Sequence, residues 1–390
     1  MTRTPRSLDR GTSAPAYYGI ALALLLANNS ARLEERKVMK ASRMVLLFAM
    51  VGLMLPAFQS AAQTKSAHLS QGMIWRNPGA ISARNLFYGP GSAALAPVPP
   101  FRFLEEDKSA TSPKFKVKDA RNVEWAVKLG RESQSETVAT RIVWAVGYFT
   151  EEAYYFPSVH IDGFKELMRG HEFFDKSGNV RAARFEPRRS NVERGDEWAW
   201  RENPFVGSRE LNGLKVMMML INNWDVKNQN NRVLLVYLPA QRRTEARYAV
   251  TDLGATFGRA HGLGGGRSKN DVEDYVAGRF VKGIHDDGTV DFDYDMTPTG
   301  LGYLTAAFPP AFMKQQKKDD NMSDVPVAHA RWIGLQLARL SNSQLRDAFR
   351  AARYDDWTTN LYVSALRHRI NQLNQLGPVR YASSERMSFR

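Results

Sequence analysis

Asp225, Lys227 and Asn230 stand at relative positions 0, +2 and +5, and Asp252-Leu253-Gly254 follows at the end of a strand-like run. Carboxylate and amide oxygens are hard donors that suit Mg²⁺, and Asn230 and Asp252 offer them. Asp225 can take a proton from a hydroxyl, and Lys227 beside it can offset negative charge on a group in transfer. These residue types fit phosphoryl transfer, in which positioning and charge supply most of the catalysis. Other chemistries lack their residues. The chain has no cysteine, which excludes disulfides, Cys-bound zinc, iron–sulfur clusters and thiol nucleophiles. Its seven histidines form no H-E-x-x-H, and no G-x-S-x-G is present, so metalloprotease and serine-hydrolase readings have no support.

The spacing of Asp225, Lys227 and Asn230, with Asp252-Leu253-Gly254 downstream, resembles the catalytic loop and metal-binding tripeptide of the protein-kinase superfamily. Trp125-Ala126-Val127-Lys128 is similar to the strand lysine that pairs with the α- and β-phosphates and with a helix glutamate. The likeness is closest to atypical members: HipA-like toxin kinases, phosphatidylinositol kinases and secretory-pathway protein kinases. It covers roughly residues 101 to 260, and the C-terminal helices are compatible with a kinase large lobe. The resemblance implies a bilobal α+β fold, with a β-rich small lobe over 101–187 and a helical lobe over 188–390. It also implies ATP with Mg²⁺ or Mn²⁺ in the cleft. Lys128 and Glu136 would then serve the nucleotide phosphates, with Glu132 competing for the glutamate role. Asn230 and Asp252 would bind metal, Asp225 would be the base, and Lys227 its charge partner.

The sequence departs from that pattern in two places. No G-x-G-x-x-G lies between the first strands; the turn there is Ser109-Ala110-Thr111-Ser112-Pro113, followed by Lys114, and backbone N–H groups with the Lys114 charge would have to hold phosphate. Asn223-Trp224 replaces the His-Arg pair before the catalytic Asp, so activation through a phosphate read by that arginine is not expected. Two further readings stay open: a kinase-like module that binds a protein, glycan or lipid head group without catalysis, and a nucleotidyl transferase using the same metal ligands.

These residues need elements to place them. Phe101–Leu104, Lys114–Lys118 and Glu124–Leu129 alternate apolar with polar residues, the pattern of half-buried strands. A helix is expected next, with Ser133 as its cap and Glu136 three residues on as a capping-box partner, ending at Gly147. Ala153–Phe156 and Asn179–Phe185 complete a small sheet, and the pattern breaks at Glu186–Arg189. From about Ser208 a buried helix leads into the Asp225 loop, and Val233–Tyr237 and Tyr248–Thr251 form a hairpin that ends at Asp252. Gly262–Lys269 does not match G-x-x-x-x-G-K-[ST] and reads as a mobile segment, with His261 a solvated loop residue. Ile284–Val290 with Asp291, Asp293 and Asp295 misses EF-hand spacing and reads as a strand after an Asp-Gly turn. Helices are expected from Val327, after Ser341 and through Leu361–Leu376, with Arg346, Arg350, Arg353, Arg367 and Arg369 on a mostly solvated face.

The chain has 390 residues, 43% apolar, with a net charge of +14. This composition fits a folded globule and no disordered or collagen-like class. Met39–Arg43 is a short basic start, Met44–Phe58 an apolar run too short to span a bilayer comfortably, and Ser60-Ala61-Ala62 a cleavage site, the order of a secretory signal peptide. Residues 1–38, with their own apolar stretch Tyr17–Ala27, then read as an over-extended start with Met39 as initiator, the alternative being a two-segment membrane anchor. Export to the periplasm or the outside is expected, with membrane contact only during export. Eight Lys and Arg against three Asp and Glu fall in residues 1–62, so a chain starting at Gln63 keeps +9. That charge suits phosphate-bearing ligands, and without a recognisable motif it does not argue for nucleic acid. A Gly/Pro-rich lead-in over residues 63–100 precedes the domain, for which a monomer is expected.

Overall fold

The computed structural model describes residues 72–108, 112–260, 266–294 and 309–377. The expected signal at 39–62, the start at 1–38, Ser109–Thr111 and His261–Gly265 lie outside the described residues, as does Asp295. Among the described residues no helix is long and apolar enough to cross a membrane.

The fold is mixed α+β. Strands β1 (Phe101–Asp107), β2 (Lys114–Lys118) and β3 (Glu124–Leu129) are followed by helix α1 (Arg131–Ala145), then β4 (Tyr154–Asp162) and β5 (Asn179–Pro187). They do not make an open sheet. The order is β1-β2-β3-β5-β4, closed into a barrel by a short parallel pairing of β1 with β4 at Phe101↔Ile161 and Arg102↔Asp162. The period of two explains what fills it: Phe115, Val117, Trp125, Val127, Val180 and Phe185 are buried inside. On β3 the alternate positions, Ala126 and Lys128, then face outward. In register, Lys114 lies opposite Lys128 and Lys128 opposite Arg184, so three cations form one row across β2, β3 and β5.

Helix α1 begins two residues before the expected cap. Gly130, at φ +103, turns the chain directly out of β3, and no side chain caps the helix. The Ser133 hydroxyl donates instead to the Lys128 carbonyl at 2.7 Å, and Glu136 is drawn inward rather than back to the helix end. The capping box is therefore corrected: both residues have tertiary partners.

After β5, strand β6 (Val192–Glu197) joins the hairpin of β7 (Asn231–Leu238) and β8 (Arg243–Val250) in a three-stranded sheet. β6 reads Val-Glu-Arg-Gly-Asp-Glu and is mostly exposed, so no apolar alternation announces it. Helix α2 (Arg209–Leu220) lies before the hairpin and is capped by Ser208, whose hydroxyl accepts from Leu211 N at 3.1 Å. The hairpin is followed by α3 (Val272–Ala277), β9 (Val281–Ile284), β10 (Val290–Phe292), α4 (Pro309–Met322), α5 (Val327–Ala338), α6 (Asn342–Ala351) and α7 (Asp356–Gln375). The Asp-Gly turn is as expected, since Asp287 Oδ1 accepts from Thr289 N and Oγ1 as a turn residue.

A second core, separate from the barrel interior, joins α1, α2 and the later helices. The lead-in feeds it: Ile81 and Leu86 are fully buried, and Gln344 donates to the carbonyls of Ile81 and Arg84. Arg369 corrects the solvated-face reading. It is buried on α7 and donates to the carbonyls of Leu220 and Tyr275 and to Asn222 Oδ1, tying the last helix to the turn before the Asp225 loop.

Candidate functional site

Lys128 sits near the end of β3, facing the first turns of α1. Its ammonium meets Asp252 Oδ1 at 2.6 Å, Glu132 Oε2 at 2.8 Å and Glu136 Oε2 at 3.0 Å. The two candidate glutamates are therefore not rivals; both reach the lysine. Glu132 also pairs with Lys269 and accepts from Ser112 Oγ at 3.3 Å, whereas Glu136 lies deeper and pairs with Arg184 Nε at 3.3 Å. Burial alone would lower the Lys128 ammonium, but Glu136, Asp252 and Glu132 together push it up. The lysine stays charged in a nearly dry setting.

Asp252 reaches this cluster because of the β7–β8 register. Asn231 pairs with Val250, and Thr251 N and Oγ1 both donate to the Asn230 carbonyl at 2.8 and 3.0 Å. Asn230 and Asp252 are thus held side by side at the open end of the hairpin. Asp252 takes the left-handed backbone conformation, φ +52, as do eight other described residues that carry side chains. Gly254 is required by close approach: a Cβ there would lie 2.7 Å from Glu132 Cβ and 3.1 Å from Lys128 Nζ. The Gly254 carbonyl accepts from Ser135 Oγ at 2.8 Å, which fixes the tripeptide against α1. Burial opposes ionisation of Asp252, but Lys128, then Lys114 and Arg184, overcome it and pull the carboxyl down to about 2.

The Asp225 loop is held mainly by cations and amides. Asp225 Oδ2 pairs with Lys227 at 2.7 Å, and Asn230 Nδ2 donates to the Asp225 carbonyl at 2.6 Å and to Oδ2 at 3.2 Å. Oδ1 pairs with Lys318 of α4 at 3.0 Å. Burial would raise the Asp225 carboxyl, but Lys227 and Lys318 hold it below the usual carboxylate range. Trp224, standing where the resemblance expects arginine, donates its indole N–H to the Ser268 carbonyl at 2.9 Å and so pins the segment after Asp252-Leu253-Gly254.

The donor chemistry fits a divalent cation. Among the described residues no cluster of three or more His, Asp or Glu is arranged to hold a metal by itself. Asn230 commits its Nδ2 to Asp225 and leaves Oδ1 for a cation; Asp252 commits Oδ1 to Lys128 and leaves Oδ2. One carboxylate and one amide oxygen are the small protein share that Mg²⁺ takes when phosphate oxygens and waters complete its shell.

All eight residues singled out in the sequence fall into two adjoining groups: Lys114, Lys128, Glu132, Glu136 and Asp252 around the barrel lysine, and Asp225, Lys227 and Asn230 on the loop. Arg184 and Lys318 carry no signal in the sequence, and Lys269 shows there only as the end of a glycine-rich segment. Arg184 reads as the polar half of a strand, and the partners of Lys269 and Lys318 are remote in the chain.

No family model matches the sequence, and no curated protein matches it. Among solved structures, the proinflammatory kinase CtkA of Helicobacter pylori aligns over 72% of this chain and 98% of its own, at 12% identity and a TM-score of 0.40.

Proposed function

We propose that the protein is a kinase-like phosphotransferase with a bilobal arrangement, moving the γ-phosphate of ATP to a hydroxyl with Mg²⁺ or Mn²⁺. The observation that carries this reading is the meeting of Lys128, Glu136 and Asp252 within 3.0 Å, drawn from the third strand, the helix after it and the end of a hairpin. Nothing in barrel packing requires a charged row on the outer face. A lysine braced by a glutamate and set beside a metal-binding aspartate is, however, what a triphosphate needs.

The geometry supports the following roles. Lys128, kept charged by its carboxylates, binds phosphate oxygens, and Lys114, opposite it in the ladder, adds a second cation. Asn230 and Asp252 hold the divalent cation, which when bound neutralises charge on the phosphates. Asp225 Oδ1 or Oδ2 receives the acceptor hydroxyl's proton as the oxygen attacks phosphorus and the bond to the leaving phosphate breaks. Lys227, the more exposed of the two Asp225 cations, turns toward the transferring group. The acceptor class is a hydroxyl of a protein, glycan or lipid, and the expected export sets this reaction outside the cytoplasm.

The test is transfer of label from γ-³²P-ATP and, in parallel, from α-³²P-ATP. The proposal expects Mg²⁺- or Mn²⁺-dependent transfer or release of γ-label only, lowered about 1,000-fold but still measurable in Asp225→Asn. Transfer of α-label would identify a nucleotidyl transferase instead, and no turnover of either label would leave a binding module.

A further inference from the structure

Lys318 has no counterpart in the motifs of the sequence, yet it is one of the most buried lysines of the described chain. Its ammonium, with the side chain 7% exposed, donates to the Trp224 carbonyl at 2.9 Å and to Asp225 Oδ1 at 3.0 Å. One turn further along the same face of α4, Asn321 Nδ2 donates to the Val226 carbonyl at 3.3 Å. Helix α4 therefore grips the backbone on both sides of Asp225 and the carboxylate between them. The helix is itself held: at its C-terminal end the Ser323 carbonyl accepts from the buried Lys215 of α2 at 3.0 Å.

The two cations on Asp225 differ in freedom. Lys227 follows Asp225 by two residues, is 37% exposed and makes one ion pair, so it can leave for a phosphate. Lys318 is fixed at two acceptors and has little solvent to move into. A buried ammonium is tolerated only with such partners, which argues that its place is maintained for the contact it makes. When Lys227 turns to the transferring group, Lys318 and Asn230 are what keep the carboxylate aimed.

Resting on the phosphotransferase reading, we infer that Lys318 is a positioning residue for Asp225: it holds Oδ1 from α4 so that the carboxylate faces the acceptor hydroxyl throughout transfer. It acts through Asp225 and touches neither nucleotide nor acceptor.

The test uses the full chain with Mg-ATP as donor and water as acceptor, measuring γ-phosphate release at saturating nucleotide, and Mg-ATP affinity separately. Lys318→Met should lower turnover about 100-fold, within the range by which a positioned base acts, while affinity changes less than about 3-fold. Lys318→Arg, which can still donate to both acceptors, should recover at least about a tenth of parent turnover. In an Asp225→Asn background, Lys318→Met should have no further effect, because the residue it positions is gone. Parent-like turnover in Lys318→Met, a joint fall of turnover and affinity, or a full further loss in the Asp225→Asn background would each overturn the inference. A parent that binds no ATP in the presence of Mg²⁺ would instead overturn the phosphotransferase reading, and the inference with it.

Discussion

Lys128 and Asp225 are each surrounded by opposite charge, but at different depths. Around Lys128 the lysine is 2% exposed and Glu136 1%, and Arg184 and Glu186 continue the ion pairs across the barrel's outer face. Around Asp225 the carboxylate is 18% exposed and Lys227 37%, and much of the restraint is backbone hydrogen bonding. Buried charges stabilise only while complete, because removing one leaves the others unpaired in a poor solvent; partly exposed charges are screened and replaceable. Loss of one member is therefore costly at the buried Lys128–Glu136 pair, whereas Asp252, 42% exposed at the edge of that cluster, and the Asp225 loop have solvent beside them and can reach a ligand.

The comparison breaks most sharply at Lys128. Lys128→Met should lower unfolding stability by about 3–5 kcal/mol, read from urea denaturation, while Asp225→Asn, whose amide oxygen can still accept from the buried Lys318, should cost about 1–3 kcal/mol. Equal losses would erase the distinction. A smaller effect is expected at the junction of the two groups. Gly254→Ala pushes a methyl against Glu132 and Lys128, and overpacking of this kind costs about 1–3 kcal/mol; the same measurement checks it. Lys227→Met, which removes a partly exposed pair, should change stability by less than about 1 kcal/mol and leave its mark on turnover instead.

Acidification sharpens the contrast without a new side-chain shape. Asp252 is held near 2 against an ordinary value of 3.8. A depressed carboxyl stabilises the fold above its unfolded value and loses that contribution as pH falls through the folded one. The stability advantage of the parent over Asp252→Asn should therefore be full above about pH 4 and fade toward about pH 2, followed by thermal unfolding across that range. An advantage that persists undiminished at pH 2 would show that the Lys128–Asp252 ion pair does not set it.

The parts of the site that were legible in the sequence were those whose geometry is local. Asp225, Lys227 and Asn230 lie within one turn of chain, and the β7–β8 ladder carries Asp252 back to Asn230 by register alone. Lys128 was readable because it sits near the end of an alternating strand. Glu136 was ambiguous for a physical reason: a Ser and a Glu three apart satisfy the rules of a helix start equally well, and only packing against Lys128 decided between the two uses. Lys318 lies 93 residues from Asp225, and no local pattern brings them together. Closure of the barrel rests on two residue pairs between β1 and β4, too few to mark either strand.

The measurement that bears most directly on the central claim is a thermal-shift titration of the purified chain with ATP, with and without Mg²⁺ or Mn²⁺, repeated on Asp252→Ala. The account predicts a metal-dependent rise in Tm for the parent that is lost in the variant. A parent whose Tm does not respond to ATP with metal would contradict a nucleotide site at Lys128, and an equal rise in Asp252→Ala would contradict the assignment of Asp252 to the metal.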